Sequence, residues 1–183
     1  VVEADEFDRT FLRLTPSLGV ITNIEAEHLD IYDNLEDVKD AFIQFANKVP
    51  FYGAVVLCLD DPNVRSVIPS IDRRTITYGM TPQAQIRAID IDIDHFTSSF
   101  TVINEGKKLG EITLNAPGEH NIKNALAAVS VGLELDINFD LIKSGLERFQ
   151  GVFRRFQLKA DKDDVMVIDD YAHHPTEVQA TLN

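Results

Sequence analysis

Cysteine is nearly missing from this chain. Cys58, set inside the apolar run AVVLCL, is the only one in 183 residues, which excludes an intramolecular disulfide and any multi-cysteine metal site. That scarcity fits a reducing compartment, so the expected location is cytoplasmic. Basic residues are few and scattered: 17 Lys and Arg stand against 30 Asp and Glu, a net charge of −13. So acidic a surface repels nucleic acid and anionic membrane, and neither is an expected partner. No apolar stretch reaches the ~20 residues that span a bilayer, and none reads as a secretion signal. A phosphate-cradling loop is lacking as well. It needs G-x-x-x-x-G-K-[ST], whose backbone amides and lysine hold the phosphates. The one Gly–Lys pair, Gly106–Lys107, lacks both the preceding glycine and the following hydroxyl.

What the chain does have is enough apolar residues, 44%, to bury one domain, or one domain and a piece of another. VVEA reads as a strand tail and SLGVITN as a short buried strand. NLEDVKDAFIQFANKV sets Val38, Ala41, Phe42, Phe45, Ala46 and Val49 three and four apart, an amphipathic helix with Asn34 as its N-cap. GAVVLCL, DPNVRSVIPSI and RTITYG continue as strand, short helix and strand. Continuous apolar strands alternating with helices predict an α/β fold with a mostly parallel sheet flanked by helices. Ile89, Ile91 and Ile93 then alternate with aspartates, the period of a sheet with one wet face. FTSSFTVI and LGEITLNA, joined through NEGKK, predict an antiparallel patch. EHNIKNALAAVSVGLEL and NFDLIKSGLERF are two further helices, VMVID a new strand, and PTEVQATLN a helix opening on proline. A domain boundary is expected near Gly151, giving units 1–150 and 151–183. Both ends read as interior segments, so a piece of a longer protein is expected.

Ligands of open parallel sheets sit outside the carboxyl ends of the strands. Glu3, then Asn23 with His28, then Asp60 and Asp61 follow successive strands and share that edge. The acidic run Glu3, Asp5, Glu6, Asp8 has the bland reading of a solvated loop, except that Glu3 directly follows two valines. His28 is either a structural histidine or a ligand, and magnesium takes imidazole less readily than oxygen. Asn121 and Asn124 share a helix face, where their amides could match a base edge or Asn121 could simply cap the helix. Arg154 and Arg155 stand at the inferred junction, to grip a phosphate or to bridge two domains. DDYAHHPTE, 169–177, is the densest polar cluster and lies at a strand-to-helix turn.

EADE, TNIEAEHLDIY, PFYG, DDPNV, GEHNIKNALAA, GVFRRF and DDYAHHPTEV together resemble the Mur ligase family across nearly the whole chain. The resemblance implies a central ATP-binding domain over 1–150, P-loop-NTPase-like but without the segment that carries the phosphate loop. Over 151–183 it implies the first strand and helix of a Rossmann-like C-terminal domain. Alone, such a piece is expected to be inactive and, with a sheet edge bare, prone to self-association. The implied activity is ATP-dependent, magnesium-requiring amide ligation in peptidoglycan precursor synthesis. ATP phosphorylates the carboxylate of UDP-N-acetylmuramate, and an amine attacks the acyl phosphate. PFYG, DDPNV and DDYAHHPTEV point to L-alanine as that amine. Attachment of a tripeptide to the same sugar is the alternative inside the family, and a non-catalytic nucleotide- or metal-binding module the one outside it. By matched position, Glu3 and His28 would hold magnesium, and His120, Asn121 and Asn124 would meet adenine. Arg155 would reach the γ-phosphate, Asp170 the ribose, and Tyr171 with His173 the nucleotide or sugar, with Arg155 and His173 nearest the reaction. Two positions depart from the family. Sister ligases carry a modified lysine about fifteen residues after the metal-binding histidine, where this chain has Ile43, with Lys39 the nearest lysine. Phe7 stands where a serine is common.

Overall fold

Every residue of Ala54–Cys58, the heart of GAVVLCL, is buried, because both faces of this strand are covered by other elements. In this computed structural model, which describes all residues except Leu29, Asp163, Asp164, His174 and Asn183, that strand is β2. It pairs in parallel with β1 (Leu18–Ile21) on one side and β3 (Thr75–Gly79) on the other. The connections are α1 (Leu35–Asn47) and α2 (Pro62–Val67), the latter running into a 3-10 turn at Ile68–Ser70. β4 (Ile86–Ile93) continues in the same direction but pairs with β3 only through Tyr78–Ile86 and Gly79–Arg87. β5 (Ser98–Asn104) and β6 (Lys107–Leu114) then complete a six-stranded sheet by antiparallel pairing, in sequential order. The mostly parallel sheet with an antiparallel patch is the expected class.

Successive strand residues point to opposite faces, so β2 feeds two cores. Val55 and Leu57 meet α1 and α2 through Val38, Phe45 and Val64. Val56 and Cys58, with Tyr78 and Phe100, meet Ile122, Leu126 and Val129 of α3 (Glu119–Glu134). Asn34 caps α1 as expected, its side chain accepting from the amides of Glu36 (2.9 Å) and Asp37 (3.1 Å). α4 (Phe139–Glu147) closes the α3 side, its start capped by Asn138. The NEGKK turn is a two-residue hairpin at Glu105 and Gly106, both at positive φ (48° and 83°), the geometry that suits the twist of the flanking strands. No helix among the described residues is long and apolar enough to cross a membrane.

Three expectations differ from the structure. VVEA forms no strand: Val1–Glu6 have no ladder partner among the described residues, and Val1, Val2 and Glu3 are exposed. The isoleucine alternation does not mark the core face of β4. Ile86 and Ala88 are buried there, while Ile91 and Ile93 are exposed. Ile91 and Ile93 lie beyond a bulge with Asp90 at φ 51°, between Ile89 and Asp92, on the end of β4 whose residues are all exposed. Past Gly151, β8 (Val165–Asp169) and α5 (Pro175–Leu182) occur as expected, but β8 has an antiparallel partner, β7 (Gln157–Lys162), that the sequence did not signal. Its residues are almost all exposed, so no apolar rhythm announces it.

Candidate functional site

The carboxyl ends of β1, β2 and β3 lie on one edge of the sheet and open onto a cleft of about 1490 Å³. From the sheet side it is lined by Thr22, Asn23, Asp60 and Asp61, from the start of α3 by His120, Asn121 and Asn124, and from beyond Gly151 by Arg155 and Asp170. Segments more than a hundred residues apart thus share one wall, as open α/β sheets arrange their ligand sites.

The loop after β1 is tied down at several points. Ile24 is buried, and its carbonyl accepts from the Asn63 side chain at 2.8 Å. Tyr32 is buried, donates from its hydroxyl to the Glu6 carbonyl at 2.7 Å, and lies under the Arg9 guanidinium at 4.5 Å. Arg9 in turn pairs with Asp37 of α1. Between these anchors His28 takes a left-handed conformation, φ 54°, uncommon for a residue with a side chain. That turn presents its ring to Glu6, Nε2 to Oε1 3.7 Å, and edge-on to Phe7 at 5.1 Å between centroids. Phe7, the departure from the usual serine, therefore packs on the histidine ring. Donor atoms of Glu6, Glu27 and His28 all fall within 4.8 Å of one another. Two carboxylates and one imidazole at that spacing fit a divalent cation that keeps part of its water shell. Glu3, named from the sequence with His28, stands exposed outside this group. The missing first strand explains why: Glu3 is not held at a strand end, and the chain delivers Glu6 instead. Lys39 is engaged elsewhere, with Glu36 at 2.9 Å.

At the start of α3, Gly118 has φ 100° and lies close to the next turn: a Cβ there would meet His120 Cε1 at 2.8 Å. Glycine is what lets the chain enter the helix beside that imidazole. Asn121 uses its amide on the Pro117 carbonyl (2.7 Å) and lies 3.1 Å from His120 Nε2. It therefore ties the first turn of α3 to the loop before it without capping the helix, whose N-cap position Gly118 has no side-chain cap, and keeps its carbonyl oxygen for a ligand. Asn124, exposed and lining the cleft, keeps both halves of its amide. Partial desolvation lowers the pKa of the His120 imidazole, which keeps an exposed edge, and Lys123 and Arg155 push it the same way against the opposing charge of Asp170. His120 thus lies within electrostatic reach of both Arg155 and Asp170.

Asp170 spans the junction, accepting from the amides of Phe156 (2.8 Å) and Ala172 (2.7 Å). Each carboxylate oxygen still has a lone pair for a ligand hydroxyl. Arg154 (φ 60°) and Phe156 (φ 46°) bracket Arg155 with left-handed backbone, a conformation that persists only where surrounding contacts enforce it. Tyr171 and His173 are not among the residues lining the cleft. Their rings pack at 5.1 Å, with the Arg154 guanidinium 4.6 Å over Tyr171. Sequence reasoning missed Tyr78 and Lys123, which also line the cleft. It treated Glu6 as one of a solvated run.

The sheet, its polar carboxyl edge and the facing junction define an α/β domain with a cleft at the strand ends, between two segments of chain. The chain belongs to the Mur ligase family: residues 2–132 match the Mur ligase middle domain and residues 154–183 the Mur ligase glutamate ligase domain. Over its full length it is 54% identical to the UDP-N-acetylmuramate–L-alanine ligase of Salinibacter ruber and 53% identical to that of Geotalea daltonii. It spans 38% and 40% of those two proteins. Among solved structures, the UDP-N-acetylmuramate–alanine ligase MurC of Thermotoga maritima superposes with a TM-score of 0.82 at 28% identity, over 98% of this chain and 40% of that one. MurF of Acinetobacter baumannii shares the fold, with a TM-score of 0.81 at 24% identity over 95% of this chain and 38% of its own.

Proposed function

We propose that the full-length polypeptide is an ATP-dependent ligase that joins L-alanine to UDP-N-acetylmuramate in peptidoglycan precursor synthesis, a cytoplasmic reaction. Within it, residues 1–150 belong to the central ATP-binding domain and residues 151–183 begin the C-terminal one. The observation that carries this reading is that the whole chain aligns, at 50–54% identity, with proteins of that name. The tripeptide-adding alternative is not favoured. The murein peptide ligase structures match at 24% identity, a likeness of fold alone.

The chemistry asks for positioning and charge neutralisation rather than a covalent protein intermediate. The γ-phosphoryl group of ATP passes to the sugar's carboxylate, and the alanine amine then displaces phosphate as the amide forms. Asn124 and the remaining carbonyl of Asn121 offer the paired donor and acceptor that a base edge requires. Asp170, already oriented by two backbone amides, accepts from ribose hydroxyls. Arg155, projecting from the junction, contributes a planar cation suited to the terminal phosphate. His28 with Glu6 and Glu27 would hold the magnesium ion, which supplies neutralisation of phosphate charge. Tyr171 and His173, on the strand-to-helix turn after β8, would face the nucleotide or the sugar. A solved MurF of Thermotoga maritima, similar in fold, contains ADP, which agrees with a nucleotide in this cleft.

Phosphate release by the full-length protein, supplied with ATP and UDP-N-acetylmuramate, tests the reading. Turnover is expected with L-alanine and not with L-alanyl-γ-D-glutamyl-meso-diaminopimelate. The reverse preference would overturn the assignment.

A further inference from the structure

The clustered donors come from two stretches of chain. Glu6 lies on the arm before the 3-10 turn at Thr10–Arg13, and Glu27 and His28 lie on the loop after β1. Two carboxylates brought this close repel each other while no cation lies between them, so another contact has to hold the arm against the loop. Tyr32 bonds to both. Its hydroxyl donates to the Glu6 carbonyl at 2.7 Å, and its backbone amide donates to the His28 carbonyl at 3.0 Å. The residue is fully buried, in the core that also contains Ile24, Val38 and Phe45. The Arg9 guanidinium lies 4.5 Å over its ring and is itself paired with Asp37 of α1. A phenylalanine would fill the same space. Among the described residues it would leave the Glu6 carbonyl bonded only to the Arg9 amide, 3.1 Å away in the same turn.

We propose that Tyr32 is a positioning residue for the divalent-cation site, its hydroxyl and amide holding Glu6 against Glu27 and His28 before the ion arrives. This rests on the reading of that cluster as the cation site. Ligands already in place need no ordering when the ion binds. Ligands on a loose arm must be gathered against their own repulsion, and the affinity falls by that amount. Groups that orient metal ligands typically change metal affinity by about 10–100-fold. Tyr32 acts on the main chain of Glu6 rather than on its carboxylate, which puts the expected effect at the low end of that range. The hydroxyl is already bonded to a carbonyl, so it orients a ligand and is not one itself.

The test follows Mn²⁺ binding to the full-length protein by electron paramagnetic resonance, with a non-hydrolysable ATP analogue present, alongside thermal unfolding. The parent is compared with Tyr32→Phe, with His28→Ala, and with Val67→Ala, which removes buried methyl groups from the same core but on α2. Tyr32→Phe should bind Mn²⁺ about tenfold more weakly and melt within about 3 °C of the parent. Its bound ion should keep the coupling to the histidine nitrogen and gain one water, read by deuteron exchange, where the Glu6 carboxylate has moved off. Val67→Ala should melt lower than Tyr32→Phe and bind Mn²⁺ as the parent does. Unchanged Mn²⁺ affinity in Tyr32→Phe, or an unchanged water count, would overturn the proposal. So would a Val67→Ala protein that loses as much affinity, or a Tyr32→Phe protein that does not fold, because the hydroxyl would then serve stability alone. A parent without histidine nitrogen coupling that binds Mn²⁺ no better than His28→Ala would instead overturn the reading of the cluster on which the proposal stands.

Discussion

Asp60 is the residue through which the floor of the cleft is most open to test. It follows β2, and its carboxylate accepts from the backbone amides of Met80 (2.7 Å) and Thr81 (2.9 Å), just after β3. The approach is close: a Cβ added to Gly79 would sit 2.8 Å from three of the carboxylate's atoms. Hydrogen bonds to a charged group contribute about 1.5–3 kcal/mol each. Asp60 is half-buried, so water recovers part of that, and Asp60→Ala should cost about 2–3 kcal/mol. For a chain of this size that corresponds to roughly 5–10 °C in melting temperature. Asp60→Asn should lose less, since its carbonyl keeps one amide while its NH2 group faces the other. Thermal unfolding of the three proteins, followed by circular dichroism, measures both steps. An alanine variant within about 0.5 kcal/mol of the parent would refute the claim that this carboxylate joins the two strand ends.

Other perturbations have equally definite signs. His120 has a lowered pKa in the folded state, so the unfolded chain binds its proton first as pH falls. Its contribution to stability is full above about pH 6.5 and is lost as pH drops below that value toward the folded pKa. His120→Gln should flatten this slope in denaturant midpoints taken between about pH 7.5 and 5.5, and an unchanged slope would discount the histidine. Gly53→Ala places a Cβ 2.0 Å from the Ser17 carbonyl and 2.7 Å from Val49. It should cost roughly 3 kcal/mol by overpacking, whereas Gly145→Ala in α4, where nothing lies within 4 Å, should gain about 0.5–1 kcal/mol. Equal melting shifts for the two would contradict the packing described. β1 ends the sheet with no partner on its outer edge among the described residues, and Val20 is 40% exposed. The 183-residue polypeptide on its own should therefore associate with rising concentration in gel filtration, and a single monomer peak across a hundredfold range would count against this.

How much of this could be read from residues alone depended on range. α1 was legible because Asn34 and the spacing from Val38 to Val49 act within a few residues of one another, and the β5–β6 hairpin because Glu105 and Gly106 form a turn by themselves. β7 was not, since Gln157–Lys162 is polar, exposed and paired on one side only. Ile91 and Ile93 misled because they lie past the bulge at Asp90, on the end of β4 that is exposed throughout. At the site, His28, Asn124, Arg155 and Asp170 were named from motifs and line up around one cleft or its loops. Grouping Glu6 and Glu27 with His28 required the left-handed turn at His28, which no local pattern encodes.

The central claim is that loops distant in sequence converge to hold a divalent cation beside a nucleotide. Electron paramagnetic resonance of Mn²⁺ binding to the full-length protein, in the presence of a non-hydrolysable ATP analogue, tests it without recourse to turnover. His28→Ala should weaken Mn²⁺ binding by about tenfold or more, with Glu6→Gln and Glu3→Gln showing which carboxylate shares the ion. Identical Mn²⁺ affinity in the parent and the His28 variant would contradict the account.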